Sequence, residues 1–323
     1  MSLKTSYQED VKIIKDRRAW IFTILLTIVL FSLPFYISEY FIYILTIVSI
    51  YSIGVVGQNI LIGYTGQMSL GQSGFLACGA YTFAHLVRLG IPLPLSLIFS
   101  GLFSGIVGVI IGLPSLRLKG PYLAIATLGF ALASYQVLVN FESISGGRMG
   151  FDIPKVFWAD DKMEIYFLSI LLTYLFFIIG YNLVKSHIGR AFQAIRDSDV
   201  AAESMGINLT KYKLLAFAIS SFYTGSCGAL HAYVIGHIEP EMFTILESIQ
   251  ILAAIIIGGV GTIVGSIFGS AFVIIVPQYF AGLKEFVPVI FGVSIALVLI
   301  FEPLGIYGRW MKIKFYFMFW PFR

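Results

Sequence analysis

Ten apolar runs, most of them as long as a membrane-crossing helix, occupy the greater part of this 323-residue chain. Crossing the hydrocarbon layer takes about 20 residues, so ten crossings use about 200 of them. Charged residues are only 12% of the chain, about half their share in soluble proteins, while apolar residues are 58%. We therefore predict an all-α, polytopic transmembrane bundle, and the composition excludes a sizeable soluble catalytic domain. The runs are 20–37, 40–62, 66–87, 92–113, 121–139, 164–184, 213–235, 248–259, 262–280 and 285–301.

Two short predicted tails flank the membrane domain. The first apolar run begins at Trp20, is too long for a signal-peptide core and lacks a small-residue cleavage site, so it is predicted to be a membrane helix. We predict a cytoplasmic tail at 1–19, a membrane domain at 20–308 that includes a cytoplasmic segment at 185–212, and a cytoplasmic tail at 309–323.

The basic residues predict the orientation of the bundle. With the N-terminus inside and ten crossings, 16 of the 21 Lys and Arg lie inside: five in the N-terminal tail, two near 118, five at 185–213 and four after 301. Inner loops of membrane proteins carry this excess, so both termini are predicted to be cytoplasmic. The net charge of +4 thus marks topology and an anionic inner leaflet, and we expect membrane lipid and no nucleic acid as a partner.

The predicted spans carry no group that could drive transport. No Asp, Glu, Lys or Arg lies well inside them, and Glu239, Glu241 and Glu247 are assigned to one outer loop. His85 and His231 lie near the outer ends of their runs and are interpreted as interfacial residues rather than proton relays. The absence of an embedded charge disfavours proton or sodium coupling.

No nucleotide-binding motif is present either. A phosphate-binding loop needs a Gly-Lys pair, and no Gly-Lys dipeptide occurs in the chain. Cys78 and Cys227 lie inside apolar runs and are interpreted as packing residues, so we expect no metal site and no cofactor bound by this chain. Active transport would therefore take its energy from another subunit.

Two glycine-rich tracts interrupt the apolar pattern. The first, 63–81, combines five glycines with uncharged polar residues, which favours either close helix packing or a broken helix that lines a substrate path. The second, 258–265, splits the apolar stretch 248–280 into two helices or a re-entrant pair. With five predicted spans in each half of the chain, the two tracts also allow an inverted repeat.

The inner segment 185–212 has a helical pattern of its own. Ala191, Ala194 and Ile195 form a narrow apolar stripe, and Ser198 or Asp199 can cap a second short helix at 200–205. Such a pair is either a plain surface connector or a docking element that presents a short helix to a soluble partner.

Four stretches together resemble the permease subunits of ABC importers for branched-chain amino acids, most closely their M-type (LivM-like) subunit. The resemblance covers about 40–308 and ends in Glu-Pro-Leu-Gly-Ile-Tyr-Gly at 302–308. The stretches are 63–81 around Gly-Gln-Met-Ser-Leu-Gly, 117–129, 189–207 and 257–265.

The resemblance implies a transport subunit that is not itself an enzyme. Its implied partners are a homologous permease in a heterodimer, two cytoplasmic ATPase subunits that bind ATP-Mg, and an extracytoplasmic solute-binding protein, all at a prokaryotic cell membrane. The residues it assigns to ATPase coupling are Gly189, Arg190, Ala194, Ile195, Arg196, Asp197, Ala201, Ala202, Glu203 and Gly206. Within this set Arg190, Arg196 and Asp197 are the candidates for polar contacts, and Ala194, Ile195 and Ala201 are the candidates for the packed face.

A low-charge path suits a small neutral or zwitterionic solute. The candidate path residues are Gly66, Gln67, Ser69, Gly71, Gln72, Gly74, Thr127, Gly258, Gly259 and Gly261. The resemblance implies leucine, isoleucine and valine, whereas the residues alone fit urea or a short amide equally well. Glu239 and Glu241 could meet a binding protein or simply face solvent. A stand-alone channel, a structural anchor and an intramembrane enzyme are the remaining alternatives, and the last lacks both a His-Glu-x-x-His motif and a pair of embedded acids.

Overall fold

A computed structural model of the protein describes residues 30–116, 118, 120–154, 162–280, 282, 286–301 and 305–319. The described chain is an all-α bundle, as predicted from its apolar runs. Its long helices are α1 (Glu39–Asn59), α2 (Gln72–Arg88), α3 (Leu93–Ser115), α4 (Pro121–Asn140), α6 (Lys162–Lys185) and α9 (Leu209–Ile235). Within the described residues, four helices are long and apolar enough to cross a membrane: α1 with its π-helical extension to Tyr64, α3, α4 and α6.

Shorter elements complete the described chain. The helices are α5 (Glu142–Ser145), α7 (His187–Asp197), α8 (Asp199–Ser204), α10 (Ile245–Gly258), α11 (Ile263–Tyr279), α12 (Val287–Phe301) and α13 (Gly305–Phe319). Single 3-10 turns cover Leu33–Phe35, Gly147–Met149 and Pro240–Phe243. Strands β1 (Phe151–Asp152) and β2 (His237–Ile238) pair antiparallel.

Nine of the ten predicted runs correspond to a described helix. Most of the first run, 20–37, and the whole predicted tail at 1–19 lie outside the described residues. The predicted tail at 309–323 is helical as far as Phe319, as part of α13. The inverted repeat stays a prediction.

Contacts between helix ends show that successive long helices of the bundle run in opposite directions. The end of α1 touches α7, since Arg196 bonds to Gly63, whereas its start lies beside the start of α6, where Glu39 and Lys162 form an ion pair. We call these two ends of the bundle the α7 end and the β1 end. Arg88 at the end of α2 stacks over Phe151 in β1. The two loops that carry β1 and β2 were both predicted to be external, and they pair at this end.

The core lies where α9 packs against α1, α2 and α3. Small residues on facing helices allow the backbones to approach closely, the usual basis of helix association in lipid. A Cβ atom added to Gly79 of α2 would lie 2.0 Å from the carbonyl oxygen of Gly225 in α9, and one added to Gly108 of α3 would strike Ser221. The glycines are therefore structural requirements of this seam.

Helices α10 and α11 form a hairpin. The hairpin turn at 259–262 touches Gly63 at the α7 end, and Gln278 near the end of α11 accepts a hydrogen bond from Tyr40 at the β1 end. Helix α10 has 14 residues and rises only about 21 Å, less than the hydrocarbon thickness. The 3-10 turn Pro240–Phe243, whose Pro240 and Phe243 are buried, precedes α10 and carries its start into the bundle.

Candidate functional site

The first glycine tract contains the predicted break. Helix α1 ends in a π-helical turn at Ile60–Tyr64, residues 65–71 are non-helical, and α2 begins at Gln72. Gly66 turns the chain with φ 71°, a conformation that favours glycine. Thr127 of α4 holds the segment, because its hydroxyl oxygen accepts a hydrogen bond from the Leu70 amide at 2.9 Å. Close packing is present as well, with Gly74 lying against Phe130.

An amide and hydroxyl network lies next to this break. Gln58 Nε2 donates to the Ser69 carbonyl at 2.7 Å, and Gln72 bonds to Gln58. Thr224 of α9 donates to Gln72 Oε1 at 2.6 Å. Gln58, Gln72 and Thr224 are fully buried, so their side chains lie inside the bundle. Gln58 and Thr224 were missed from the sequence, where Gln58 lies next to Asn59 and Thr224 lies among serines within apolar runs.

The second glycine tract forms the turn between α10 and α11, and one side-chain amide, that of Asn59, holds this turn. Asn59 Oδ1 accepts a hydrogen bond from the Gly261 amide at 2.8 Å, and Asn59 Nδ2 donates to the Thr262 carbonyl at 2.8 Å. We call residues 259–262 together with Asn59 the glycine junction. Gly305 closes it, since an added Cβ there would lie 2.6 Å from Gly259. The predicted path residues Gly259 and Gly261 thus belong to this turn, Gly258 ends α10 directly before it, and Asn59 was missed.

The segment 185–212, predicted to be cytoplasmic, folds into the two short helices that its pattern predicts. The Ser186 hydroxyl caps α7 by accepting from the Ile188 amide at 3.1 Å. Ser198 caps α8 by accepting from the Ala201 amide at 3.3 Å, and Gly206, with φ 81°, follows its end. The capping interpretation is confirmed, with Ser198 as the capping residue.

The residues predicted to couple to an ATPase fall on two faces of this helix pair. Gly189, Ile195 and Ala202 are buried against the bundle, together with Ala191 and Phe192, and Ala194 is half-buried. The exposed members are Arg190, Arg196, Asp197, Ala201, Glu203 and Gly206. The sequence reasoning missed two exposed apolar side chains on the outer face, Val200 at 76% and Met205 at 82% exposure.

Arg196 joins the segments singled out from the sequence. Its Nη1 donates to the Gly63 carbonyl at 2.5 Å, and its backbone packs on Gly66. A Cβ at Gly261 would lie 2.9 Å from the same Nη1. The guanidinium therefore touches both the break after α1 and the glycine junction.

A polar cavity of about 390 Å³ lies beside this contact at the α7 end. It is lined by the 65–67 segment, the end of α3, the start of α4, and α7 with α8. Gly66 and Gln67 from the predicted path share this cavity with Arg196 and Asp197 from the predicted coupling set.

The interpretation of Glu247 as an outer-loop acid is wrong. Glu247 lies in the first turn of α10, and its carboxylate accepts a hydrogen bond from the Tyr51 hydroxyl. Tyr51 is the middle residue of the 26-residue span Glu39–Tyr64, so Glu247 lies deep in the bundle. The sequence misplaced it because α10 starts inside the protein, behind the buried turn Pro240–Phe243.

The two histidines differ in their surroundings. His85 Nε2 pairs with the Ile144 carbonyl at 2.7 Å near the β1 end, as its position in the run predicts. His231 instead packs edge-on against Tyr51, with ring centroids 5.7 Å apart, and lies in the same cleft as Glu247.

Comparison with known proteins places these features in one family. The model of the "Branched-chain amino acid transport system / permease component" family matches residues 40–302. The high-affinity branched-chain amino acid transport system permease protein LivM of Salmonella typhimurium is 32% identical over 88% of this chain and 74% of its own length. The corresponding LivM of Escherichia coli K12 is 31% identical over the same shares.

A more distant likeness concerns another solute. The autoinducer 2 import system permease protein LsrC of Escherichia coli DH10B is 24% identical over 81% of this chain and 79% of its own length. No solved structure matches significantly. The relatives that match are transport subunits, and the apolar helices are those of a multi-pass inner-membrane protein. The chain belongs to the family of permease components of branched-chain amino acid transport systems.

Proposed function

We propose that this chain is the membrane-spanning subunit of an ATP-driven importer that moves branched-chain amino acids delivered by a solute-binding protein. It pairs with a homologous permease, and two separate cytoplasmic subunits bind ATP-Mg and hydrolyse ATP. Both of its termini are cytoplasmic. The transport activity for which the 31–32% identical relatives are named supports the solute class.

The observation that carries the proposal is the two-faced helix pair α7–α8. One face packs on the bundle through Phe192 and Ile195, and the other presents Val200 and Met205 to the outside. Exposed apolar side chains on a short rigid helix are what a groove on a soluble partner recognises. A stand-alone channel has no use for such an element.

Arg196 connects this helix pair mechanically to the membrane domain. Because its side chain bonds to Gly63 and touches Gly261, a displacement of α7 reaches both the end of α1 and the α10–α11 hairpin. A charge-assisted hydrogen bond stabilises a folded arrangement by about 1.5–3 kcal/mol. Because the Arg196 side chain is partly exposed, we expect a value at the lower end, about 1.5 kcal/mol. That energy corresponds to roughly a tenfold change in an equilibrium.

The experiment that tests the function is ATP-dependent uptake by the complex purified through this chain and reconstituted in vesicles. Labelled leucine, urea and glutamine are compared, with and without ATP. Leucine uptake that requires ATP supports the proposal. ATP-dependent uptake of urea with no leucine uptake would assign the solute to the alternative class, and leucine uptake by this chain alone without ATP would make it a facilitator.

The coupling role is tested by Arg196→Glu. We expect at least a tenfold loss of uptake, since the new carboxylate repels the Gly63 carbonyl that the guanidinium binds. The matched control is Arg148→Glu, the same charge reversal at an exposed site near the β1 end, which should keep uptake. Unchanged ATPase association together with unchanged uptake in Arg196→Glu would remove the assignment.

A further inference from the structure

A cleft of about 280 Å³ lies between α1, α9, α10 and α11 on the β1 side of the bundle. This volume is near the lower limit for ligand pockets, roughly 300 Å³, and suits a small solute. Its lining combines one carboxylate, two phenols, one imidazole and two amides with an aliphatic wall. The polar residues are Tyr43, Tyr51, His231, Glu247, Gln250 and Gln278, and the wall includes Ile44, Ile47, Met242, Val273, Ile274 and Pro277.

Glu247 lies at the inner part of the cleft. From Glu247 to Gly258 at the end of α10 the helix rises about 17 Å, and from Tyr51 to Gly63 helix α1 rises about 18 Å. Both ends meet the glycine junction, so the two residues share one level near the middle of the bundle. The cleft therefore reaches from Gln278 at the β1 end to about half the depth of the bundle.

An acid at this depth is costly and calls for a cationic partner. Charged side chains inside membrane spans are rare and line solute or ion pathways, where they pair with opposite charges. Among the described residues no Lys or Arg forms an ion pair with Glu247, whose bonded partner is the neutral Tyr51 hydroxyl. The carboxylate thus faces the cleft with its charge uncompensated by the described chain.

The other lining groups match the remaining parts of an amino acid. The amides of Gln250 and Gln278 are donors for a carboxylate, with no fixed positive charge to trap it. Ile47, Val273 and Ile274 offer an aliphatic surface without polar atoms for a branched side chain. One acid, two amides and one aliphatic wall complement the ammonium, carboxylate and side chain of a small apolar amino acid.

We propose that this cleft is a solute-binding site within the permease, in which Glu247 and the Tyr51 oxygen receive the ammonium group of an aliphatic amino acid. The inference rests on the proposed function and deepens it, because it places recognition of the amino acid in the membrane subunit as well as in a binding protein. The site selects a primary ammonium, so urea and carboxylic acids without an amine are poor ligands.

The test is binding of labelled leucine to the detergent-purified complex in the absence of any binding protein. We expect saturable binding that falls at least tenfold in Glu247→Gln, which keeps the shape of the side chain and removes its charge. Glu241→Gln is the matched control, since Glu241 is an exposed acid in the turn just before α10, and it should bind as the wild type does. Unlabelled leucinamide should compete for the site, and 4-methylpentanoate, which lacks the ammonium group, should not.

A second variant keeps the proposal falsifiable if Glu247→Gln does not assemble. Ile274→Trp fills the cleft from its half-buried wall and should abolish leucine binding while the partner subunits stay bound. Wild-type binding in an assembled Glu247→Gln or Ile274→Trp complex would overturn the site and leave the importer function intact. ATP-dependent uptake in which no amino acid is moved would overturn the proposed function and the site together.

Discussion

Asn59 shows how much of this structure depends on single polar side chains in an apolar helix. It is fully buried in α1, and its amide satisfies groups of the 259–262 turn that have no water to bind. In lipid an unpaired backbone group costs several kcal/mol, so one asparagine permits a non-helical turn at this depth. Asn59 also donates to the Ser266 hydroxyl at 3.2 Å and so reaches α11.

Replacement of Asn59 by Leu should destabilise the protein by about 1–3 kcal/mol, since it leaves the Gly261 amide and the Thr262 carbonyl without that partner. The measurement is the thermal unfolding midpoint of the purified protein in detergent. Asn140→Leu is the matched control, because Asn140 is exposed and bonds only within its own helix, to the Gln136 carbonyl. Equal midpoints for the two variants would contradict the role given to Asn59.

At the scale of elements, the bundle is joined by seams of small residues. Helix α3 faces α9 with Ser100, Gly101, Ser104 and Gly108, and the serine hydroxyls bond to backbone carbonyls, as Ser104 does to Phe75 at 3.1 Å. Lipid offers no hydrophobic gain for bringing apolar helices together, so close backbone contact and hydrogen bonds supply the association. Each glycine in a seam therefore limits which residue can replace it.

The Gly79→Ala variant tests the seam between α2 and α9. The new methyl group would lie 2.0 Å from the Gly225 carbonyl oxygen, and because this neighbour is backbone, the helices must separate. Overpacking of this kind costs about 1–3 kcal/mol. In Gly129→Ala, at a helical glycine with nothing within 4 Å, the change should be neutral or slightly stabilising. Thermal unfolding of both variants in detergent checks the difference, and a stable Gly79→Ala would argue against close contact at this seam.

At the scale of the whole molecule, the chain separates a polar α7 end from a cleft on the β1 side. Between these two regions lie the fully buried residues Gln58 and Gln72, at a depth between Tyr51, which lines the cleft, and Gly63, which lies at the α7 end. Basic residues concentrate at the α7 end in the segment 185–213, which supports a cytoplasmic position for this end.

Cysteine labelling tests this orientation. Met149 near the β1 end and Met205 after α8 are 87% and 82% exposed, whereas native Cys227 is buried and Cys78 half-buried. We expect a membrane-impermeant maleimide to label Met149→Cys in intact cells, and Met205→Cys only in inverted vesicles. The unsubstituted protein gives the background. Labelling of Met205→Cys in intact cells would reverse the orientation.

Nine of the ten predicted apolar runs match a described helix in the predicted order, because these runs are long and continuous. The run 40–62 lies inside α1 with its π turn, and the run 92–113 lies inside α3 from residue 93 onward. The sequence could not place Glu247, because a run that starts at residue 248 looks like the edge of the membrane when the buried turn before it is unknown. It also could not identify Asn59 or Gln58, since the partners of each amide lie on other helices and emerge only from packing.

The glycine junction also has a consequence for synthesis of the chain, because its two parts are made at different times. Asn59 and Gly261 are 202 residues apart in the sequence. Because ribosomes add about 5–20 residues per second, Gly261 is synthesised about 10–40 s after Asn59. Gly305, which packs on Gly259, is made later still. During this interval α1 holds a polar amide that the finished protein satisfies internally. The nascent chain must therefore keep that amide near water or the insertion machinery until the hairpin arrives, and a chain that stops before residue 259 would expose it to lipid or to degradation.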